Sequence, residues 1–470
     1  MNKIFDNIKK AYNSPFKPII KTLLVCFGLI LVVWIGANSF HFIKGVTTSK
    51  SPIVGIEATN KKVYLADEQI KVSDFDIKAV HKNGDTSSIE TKDVKLSTKK
   101  LKLTGDTTPV TLTYKDKFEC TVKVKNERKE IASVECGKYD LDSVKAVVYS
   151  NGELAFEGEG DIRQFHEKEA PWYTMETNDV AIKSVSFQDT VTPKNLDFYF
   201  EDFNDLLYIE NIPTSVESAY KMCYNCMNLQ KGPDFSECEN LLNLNQAFEG
   251  CSSMEEPAVL PPNLTSAVAC YKNCISLNGI GNIASCDKLK VAVEMYSGCE
   301  NILEADFSKG IKMADSMYAG CINLEKSNKL PDSIKHINYL FKDDISLKTV
   351  PNIPASVESA SSTFIGCRKI EGKMVIDCVP KTYTSFFSGA CEGKKLDLTG
   401  SSPMLEVLAN TSNSGNITVN GNTPDPTKTN FDFYNYQKSL EEANKEPEET
   451  TSEETSEETS EEVPEETPAE

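Results

Sequence analysis

Fifteen cysteines give this chain its most obvious chemical potential. Thiols can hold zinc, cross-link, or attack an electrophile, and their spacing separates these uses. Cys223 and Cys226 form a CxxC, half of a four-ligand zinc site, with Cys238 further on. No second CxxC or neighbouring histidine completes the set, so no metal or cofactor is expected. Cross-linking has local candidates in Cys223 with Cys226 and Cys270 with Cys274. Against it stands a reading in which most thiols are free, buried and act as small hydrophobes. The histidines at 41, 81, 166 and 336 fall in separate segments, which leaves no Cys/His dyad to read. No phosphate-cradling glycine loop appears, since DIRQ follows GEG. A net charge of −20 speaks against phosphate-backbone partners, so no nucleic acid is expected. The chain is read as non-enzymatic.

The cysteines gain meaning from what surrounds them. An aromatic, two residues, a cysteine, two residues and an aliphatic recur as YKNCISL at Tyr271, YSGCENI at Tyr296, YAGCINL at Tyr318 and FIGCRKI at Phe364. Anchored on the cysteine, the series runs Cys226, Cys251, Cys274, Cys299, Cys321, Asp344 and Cys367, in steps of 25, 23, 25, 22, 23 and 23 residues. An eighth copy places Phe387 on the aromatic position and Ala390 on the anchor, with Cys391 next door. NIPTSVESA at Asn211 and NIPASVESA at Asn352 lie 141 residues apart, as do Cys226 and Cys367. A period in the twenties marks a solenoid whose units bury their apolar faces only against each other. The expected repeat core is Cys226, Cys251, Tyr271, Cys274, Tyr296, Cys299, Tyr318, Cys321, Phe341, Phe364, Cys367 and Phe387. Phrases such as LPPNL at Leu260, LPDSI at Leu330 and IPASV at Ile353 fit a short strand and its turn. The aromatic and cysteine are placed on the connection, pointing into the stack.

Other segments follow different rules. Lysines at 3, 9, 10, 17 and 21 precede an apolar run, which orients a membrane segment with its N-terminus inside. The expectation is a cytoplasmic stretch at 1–18 and an uncleaved single-pass anchor at 19–43, against a signal peptide cut near Ala37. The strictly apolar run is shorter than the roughly 20 residues a span needs. On this reading the chain is a cell-membrane protein whose C-terminus is extracellular. Residues 441–470 hold fourteen glutamates and one lysine, a composition read as a disordered acidic tail. Before it, 422–440 includes FDFYNY, which either closes the last solenoid layer or forms an exposed aromatic patch.

Residues 51–126 alternate polar and apolar side chains in KKVYLAD, FDIKAVH, VKLS, LKLTG, VTLTY and FECTVKVK. About seven short strands of this kind predict a β-sandwich, and the segment resembles bacterial immunoglobulin-like domains, implying a spacer or adhesive module. Residues 131–196 form a connector and N-terminal cap, with strands at VKAVVYS, GELAFEG and IKSVSFQ. Trp172 and Tyr173 are assigned to the cap, the alternative for Trp172 being a ligand platform.

The order GEGDIRQF, APWYTMETNDVAIKSVSF, then aromatic-x-x-Cys-x-x-aliphatic units with IPxSV phrases resembles cell-surface leucine-rich-repeat proteins of the BspA type. The fold class is therefore mixed and mainly β: an immunoglobulin-like β-sandwich followed by a leucine-rich-repeat solenoid over 197–421 in units of about 23 residues. The resemblance implies surface display and binding to proteins or cells, with no catalytic residues to carry over. Glu217, Lys335, His336 and Glu358 are candidates for the binding face, or else ordinary solvated surface. The function read is binding of an unknown protein or glycan, as in adhesion or host interaction. The alternative is a scaffold in the bacterium's own envelope.

Overall fold

The computed structural model describes residues 51–64, 68–102, 104–175 and 180–443. Its first unit has seven strands: β1 (Ile53–Thr59), β2 (Val63–Tyr64), β3 (Asp76–His81), β4 (Thr86–Ser88), β5 (Val94–Leu96), β6 (Thr107–Tyr114) and β7 (Phe118–Asn126). They form two sheets, ordered β1-β3-β4 and β2-β7-β6-β5. The period-two pattern in β6 buries Thr108, Val110, Leu112 and Tyr114. Val110, Leu112 and Tyr114 share one core with Ile56 and Ile77 of the other sheet. Leu101 and Lys102, in a phrase read as a strand, are irregular, and Leu101 is buried.

A five-stranded sheet then starts the main core. It contains β8 (Glu130–Glu135), β9 (Val144–Tyr149), β10 (Glu153–Gly158), β11 (Ser184–Phe187) and β12 (Tyr208–Glu210). β8, β9 and β10 pair antiparallel, whereas β10, β11 and β12 pair parallel. The switch of direction is the entry to the solenoid. The short helix α1 (Trp172–Met175) seats Trp172 there, fully buried. The indole lies 5.0 Å from Phe156 and 5.1 Å from Tyr199, and its Nε1–H donates to the Tyr199 carbonyl at 2.6 Å. A ring so enclosed has no face left for a ligand. Tyr173 adds an O–H donated to Phe198 O at 2.7 Å.

Beyond this point regular strands are few, and two lines of parallel bridges replace them. The first runs Asn195, Ser218, Asn243, Ser266, Val291, Met313, His336, Ser359 and Thr382. Each is one rung, about 4.8 Å from the next. The second contains Lys231 and Glu256, then β13 (Glu304–Ala305) and β14 (Lys326–Ser327), and ends in β15 (Gly372–Val375), β16 (Leu396–Thr399) and β17 (Ile417–Val419). The rungs fall just after the IPxSV-type phrases, which themselves make the turn into the rung.

Hydrogen bonding between units continues through the aromatic–cysteine segment, which was expected only as a connection. Ala267, Ala269, Tyr271 and Asn273 donate their N–H groups to Val291, Val293, Met295 and Ser297 of the next unit. Intervening N–H groups, such as those of Cys270 and Cys274, bond three residues back within the turn. This alternation satisfies a turn-rich backbone and makes each unit depend on its neighbour. It also requires left-handed backbone at two places per unit. One is held by non-glycine residues, Lys221, Gln246, Ala269, Glu294, Ser316 and Tyr339 among them; the other is taken by Asn, Asp or Gly, as at Asn225, Gly250, Asn273 and Gly298.

The repeat aromatics form one column. Phe248, Tyr271, Tyr296, Tyr318, Phe341, Phe364 and Phe387 stack in sequence, with centroids 5.4–6.1 Å apart and planes within 15°. Each contact contributes about 0.5–1.5 kcal/mol beyond burial. The last unit is covered by α2 (Leu405–Ala409) and by Phe431 and Phe433 beside α3 (Phe433–Ala443), with the Phe433 ring 6.3 Å from Tyr383.

The single-pass membrane expectation is corrected. Among the described residues no helix is long and apolar enough to cross a membrane. The eleven residues of α3 extend about 16 Å, against about 30 Å of hydrocarbon. The segments at 1–18 and 19–43, and the acidic tail beyond 443, lie outside the described residues. The membrane anchor and the membrane localisation are accordingly withdrawn.

Candidate functional site

The fate of the thiols comes first, because they carried the possible chemistry. All fourteen described cysteines are free, and all but Cys120 are buried. The anchor thiols donate one unit back: Cys226 to Phe200 O at 2.9 Å, Cys274 to Phe248 O at 3.1 Å, Cys299 to Tyr271 O at 3.0 Å and Cys367 to Phe341 O at 2.8 Å. Cys251 donates in the same way to Cys223 O at 3.1 Å. Cys223 therefore occupies the aromatic position of its unit, and CxxC is the repeat phrase with a thiol in place of a ring. Among the described residues no three His, Cys, Asp or Glu side chains gather as a metal site. Burial pushes the Cys136 and Cys391 thiols up to about 12 and those of Cys299 and Cys367 well above the ordinary range. A thiol held protonated is a poor nucleophile.

Asp344 takes the anchor position in its unit. Its side chain is fully buried, Oδ1 accepts the Cys321 N–H at 2.8 Å, and Oδ2 has no hydrogen-bond partner. Burial pushes its carboxyl well above the usual carboxylate range.

The outward surface of the first bridge line is the candidate site. At its N-terminal end Phe198, Tyr220 and Tyr224 are half-buried. Phe198 meets Tyr220 edge to face at 5.3 Å, while Lys221 Nζ lies 4.8 Å from the Tyr224 ring and 5.8 Å from that of Tyr220. The Tyr220 hydroxyl donates to Gln246 Oε1 at 3.0 Å, which fixes the ring. Rigid amphipathic rings beside a cation suit contact with a protein or a sugar. Sequence reading missed all four residues. Aligning the columns would have exposed Tyr220 and Tyr224, which stand two and six residues after the rung at Ser218.

The four residues singled out for this face are placed differently. Glu217 pairs with Lys194 at 2.8 Å, and Lys335 with Glu358 at 2.6 Å. The Lys335 hydrogen bond holds the Glu358 carboxyl below its usual value. His336 occupies a rung between Met313 and Ser359. Glu217, Lys335 and Glu358 each precede a rung of this line and His336 is one, with Glu217 five rungs from His336.

A second concavity, about 920 Å³, opens between the first unit and the solenoid. Leu101, Pro109, Ile209, Ile212 and Pro233 give it apolar walls. Its charged groups serve each other: Glu210 accepts from Thr104 Oγ1 and pairs with Lys102, each at 2.6 Å. Nearby, Glu153 takes the Gly105 N–H at 2.9 Å and the Arg128 guanidinium at 2.9 Å. This polar set is a joint that clamps the first unit to the repeats.

No family model matches the chain, and no curated protein matches it. Solved structures similar to it include a leucine-rich repeat protein from Bacteroides ovatus, at 15% identity over 62% of this chain and 76% of that one, with a TM-score of 0.36. A leucine-rich repeat protein of T. pallidum is 16% identical over 50% of this chain and 90% of its own, TM-score 0.29. A leucine-rich cell surface protein from Faecalibacterium prausnitzii is 14% identical over 49% and 93%, TM-score 0.18. Superposition on them is partial, and the description of the solenoid rests on its own two bridge lines.

Proposed function

We propose that this chain is a surface-displayed, non-enzymatic binding protein whose bridge-line face holds a protein or glycan partner. The observation that carries the reading is the rigid cluster of Phe198, Tyr220 and Tyr224 around Lys221, half-exposed on that face. Tyrosine is among the side chains that supply most of the energy in many interfaces. An envelope scaffold that self-associates through a uniformly polar face has no use for such a cluster. Glu217, Lys335, His336 and Glu358 belong to the same face in this reading and tune specificity through charge.

The finer architecture belongs to the same proposal. The repeat unit is about 23 residues, and the first unit is an immunoglobulin-like spacer clamped by the Arg128–Glu153 joint. The test is an array of purified matrix proteins and glycans probed with the full chain and with Tyr220→Ala/Tyr224→Ala. Loss of a saturable signal in the variant supports the proposal; an unchanged signal removes this face from the function.

A further inference from the structure

On the bridge-line face an aromatic ring is flanked by groups that bond hydroxyls. Backbone bonds from Phe200 N to Met222 O at 2.9 Å and from Asp202 N to Tyr224 O at 2.8 Å set Glu201 one rung from Tyr224. Those from Cys223 N to Ala247 O at 2.8 Å and from Asn225 N to Glu249 O at 2.7 Å set Glu249 one rung beyond it. The half-buried Tyr224 therefore stands between two carboxyl-bearing positions, about 10 Å apart along the axis at roughly 4.8 Å per rung. That is the span of two linked sugar rings.

The two acids are prepared differently. Glu249 Oε2 accepts from Gln246 Nε2 at 2.7 Å, and Gln246 Oε1 accepts from the Tyr220 hydroxyl at 3.0 Å, so one relay orients both side chains. Glu201 is only 3% exposed, and its Oε2 has no hydrogen-bond partner. An enclosed oxygen without a donor is unfavourable, and a donor carried by a ligand relieves it. Across this end Lys168 of the cap pairs with Asp202, next to Glu201, at 2.6 Å through side chains 53% and 38% exposed. Such a pair is weak and yields readily. At the other end Lys272 follows Glu249 and gives its ammonium to Glu294 at 2.6 Å.

Charge separates the partner chemistries. An arginine or lysine side chain would suit the acids, but Lys221 Nζ already lies 4.8 Å from the Tyr224 ring and would repel it. A sulfated or sialylated sugar would suit Lys221 but meets Glu249 on the next rung. A neutral sugar meets neither conflict. Its C–H face lies on the ring, its hydroxyls donate to the carboxyls, and the Lys221 ammonium and Gln246 amide donate in return.

We propose that the Glu201–Tyr224–Glu249 platform binds a neutral oligosaccharide, with one sugar ring on Tyr224 and hydroxyls of the linked rings donating to the two acids. This names the partner class for the bridge-line face and rests on the binding role proposed above.

The experiment is binding of full-length protein to an array of neutral, sialylated and sulfated oligosaccharides, beside matrix proteins before and after enzymatic deglycosylation. Wild type is compared with Tyr224→Ala, Tyr224→Phe, Glu201→Gln and Glu249→Gln, whose matching thermal melts show that they fold. Expected is saturable binding to a neutral oligosaccharide, competed by the same sugar free in solution. Tyr224→Ala and Glu249→Gln should each weaken it about tenfold and Glu201→Gln about threefold, while Tyr224→Phe keeps it because the ring face remains. Preference for sialylated or sulfated sugars overturns the proposal, as does a neutral-sugar signal that Tyr224→Ala and Glu249→Gln retain. Binding that survives deglycosylation of a matrix protein overturns the sugar assignment yet leaves the face as a protein-binding surface. Absence of both sugar and protein signals removes both readings.

Discussion

Replacing Asp344 with cysteine restores the anchor residue of the neighbouring units and removes a carboxyl that the core holds against its nature. In the folded chain this carboxyl is fully buried, with one oxygen bonded to the Cys321 N–H and the other unpartnered. Leaving a buried polar atom unpaired costs about 1–3 kcal/mol. The pH dependence follows from linkage. Asp344 has a folded pKa raised well above 3.8, so between those values the unfolded chain gives up the proton while the folded chain keeps it. Asp344 carries no ionisation cost below about pH 4. The cost grows by about 1.4 kcal/mol per pH unit above that and levels off above the folded pKa. Paired urea unfolding of wild type and Asp344→Cys under reductant, from about pH 5 to pH 8, should show the variant more stable by a margin that widens with pH. A cysteine thiol stays neutral across this range. A margin independent of pH, or a wild type that gains on the variant towards pH 8, refutes the reasoning.

Two further predictions address the turn geometry and the thiols. Gly298 has φ +75°, and an added Cβ would lie 2.6 Å from Asn273 Oδ1, whereas Gly320 has φ +77° with nothing nearer than 3.8 Å. Both alanine variants should lose about 1–2 kcal/mol for left-handed backbone, but Gly298→Ala should lose more, and Asn273→Ala should remove the excess in a double-mutant cycle of thermal or urea unfolding. Alkylation of the native chain, mapped by peptide, should label Cys120 first among the fourteen described cysteines, with the rest following only on denaturation, since they are buried and free.

The repeat was legible in the sequence because most units fill the same site with a ring and a small thiol. That demand fixed the register from Cys226 to Cys367 and picked out Asp344 as its exception. The CxxC at Cys223 was ambiguous for the opposite reason. Three residues before the Cys226 anchor, Cys223 stands where other units have a ring, and its carbonyl takes the Cys251 thiol as those of Phe248 and Tyr271 take theirs. The left-handed residues Lys221, Ala269, Glu294 and Tyr339 were invisible, because their local preference opposes the conformation and bonds to the next unit impose it. Trp172 lies fully buried against Phe156 and Tyr199, where the sheet changes from antiparallel to parallel pairing. The binding face was the hardest to read. Its outward columns change residue type from rung to rung, as Asp197, Tyr220, Asn245 and Val268 do, and nothing in the core constrains them. Glu217, Lys335 and Glu358 stood out by charge, yet the structure uses that charge for pairing between units.

The measurement that tests the central claim most directly is array binding by three full-length proteins: wild type, Tyr220→Ala/Tyr224→Ala on the bridge-line face, and Lys231→Ala/Glu256→Ala on the second line. The account predicts a saturable signal with a matrix protein or glycan that the first variant loses and the second retains. Equal retention by both, or equal loss in both, contradicts a function carried by the bridge-line face.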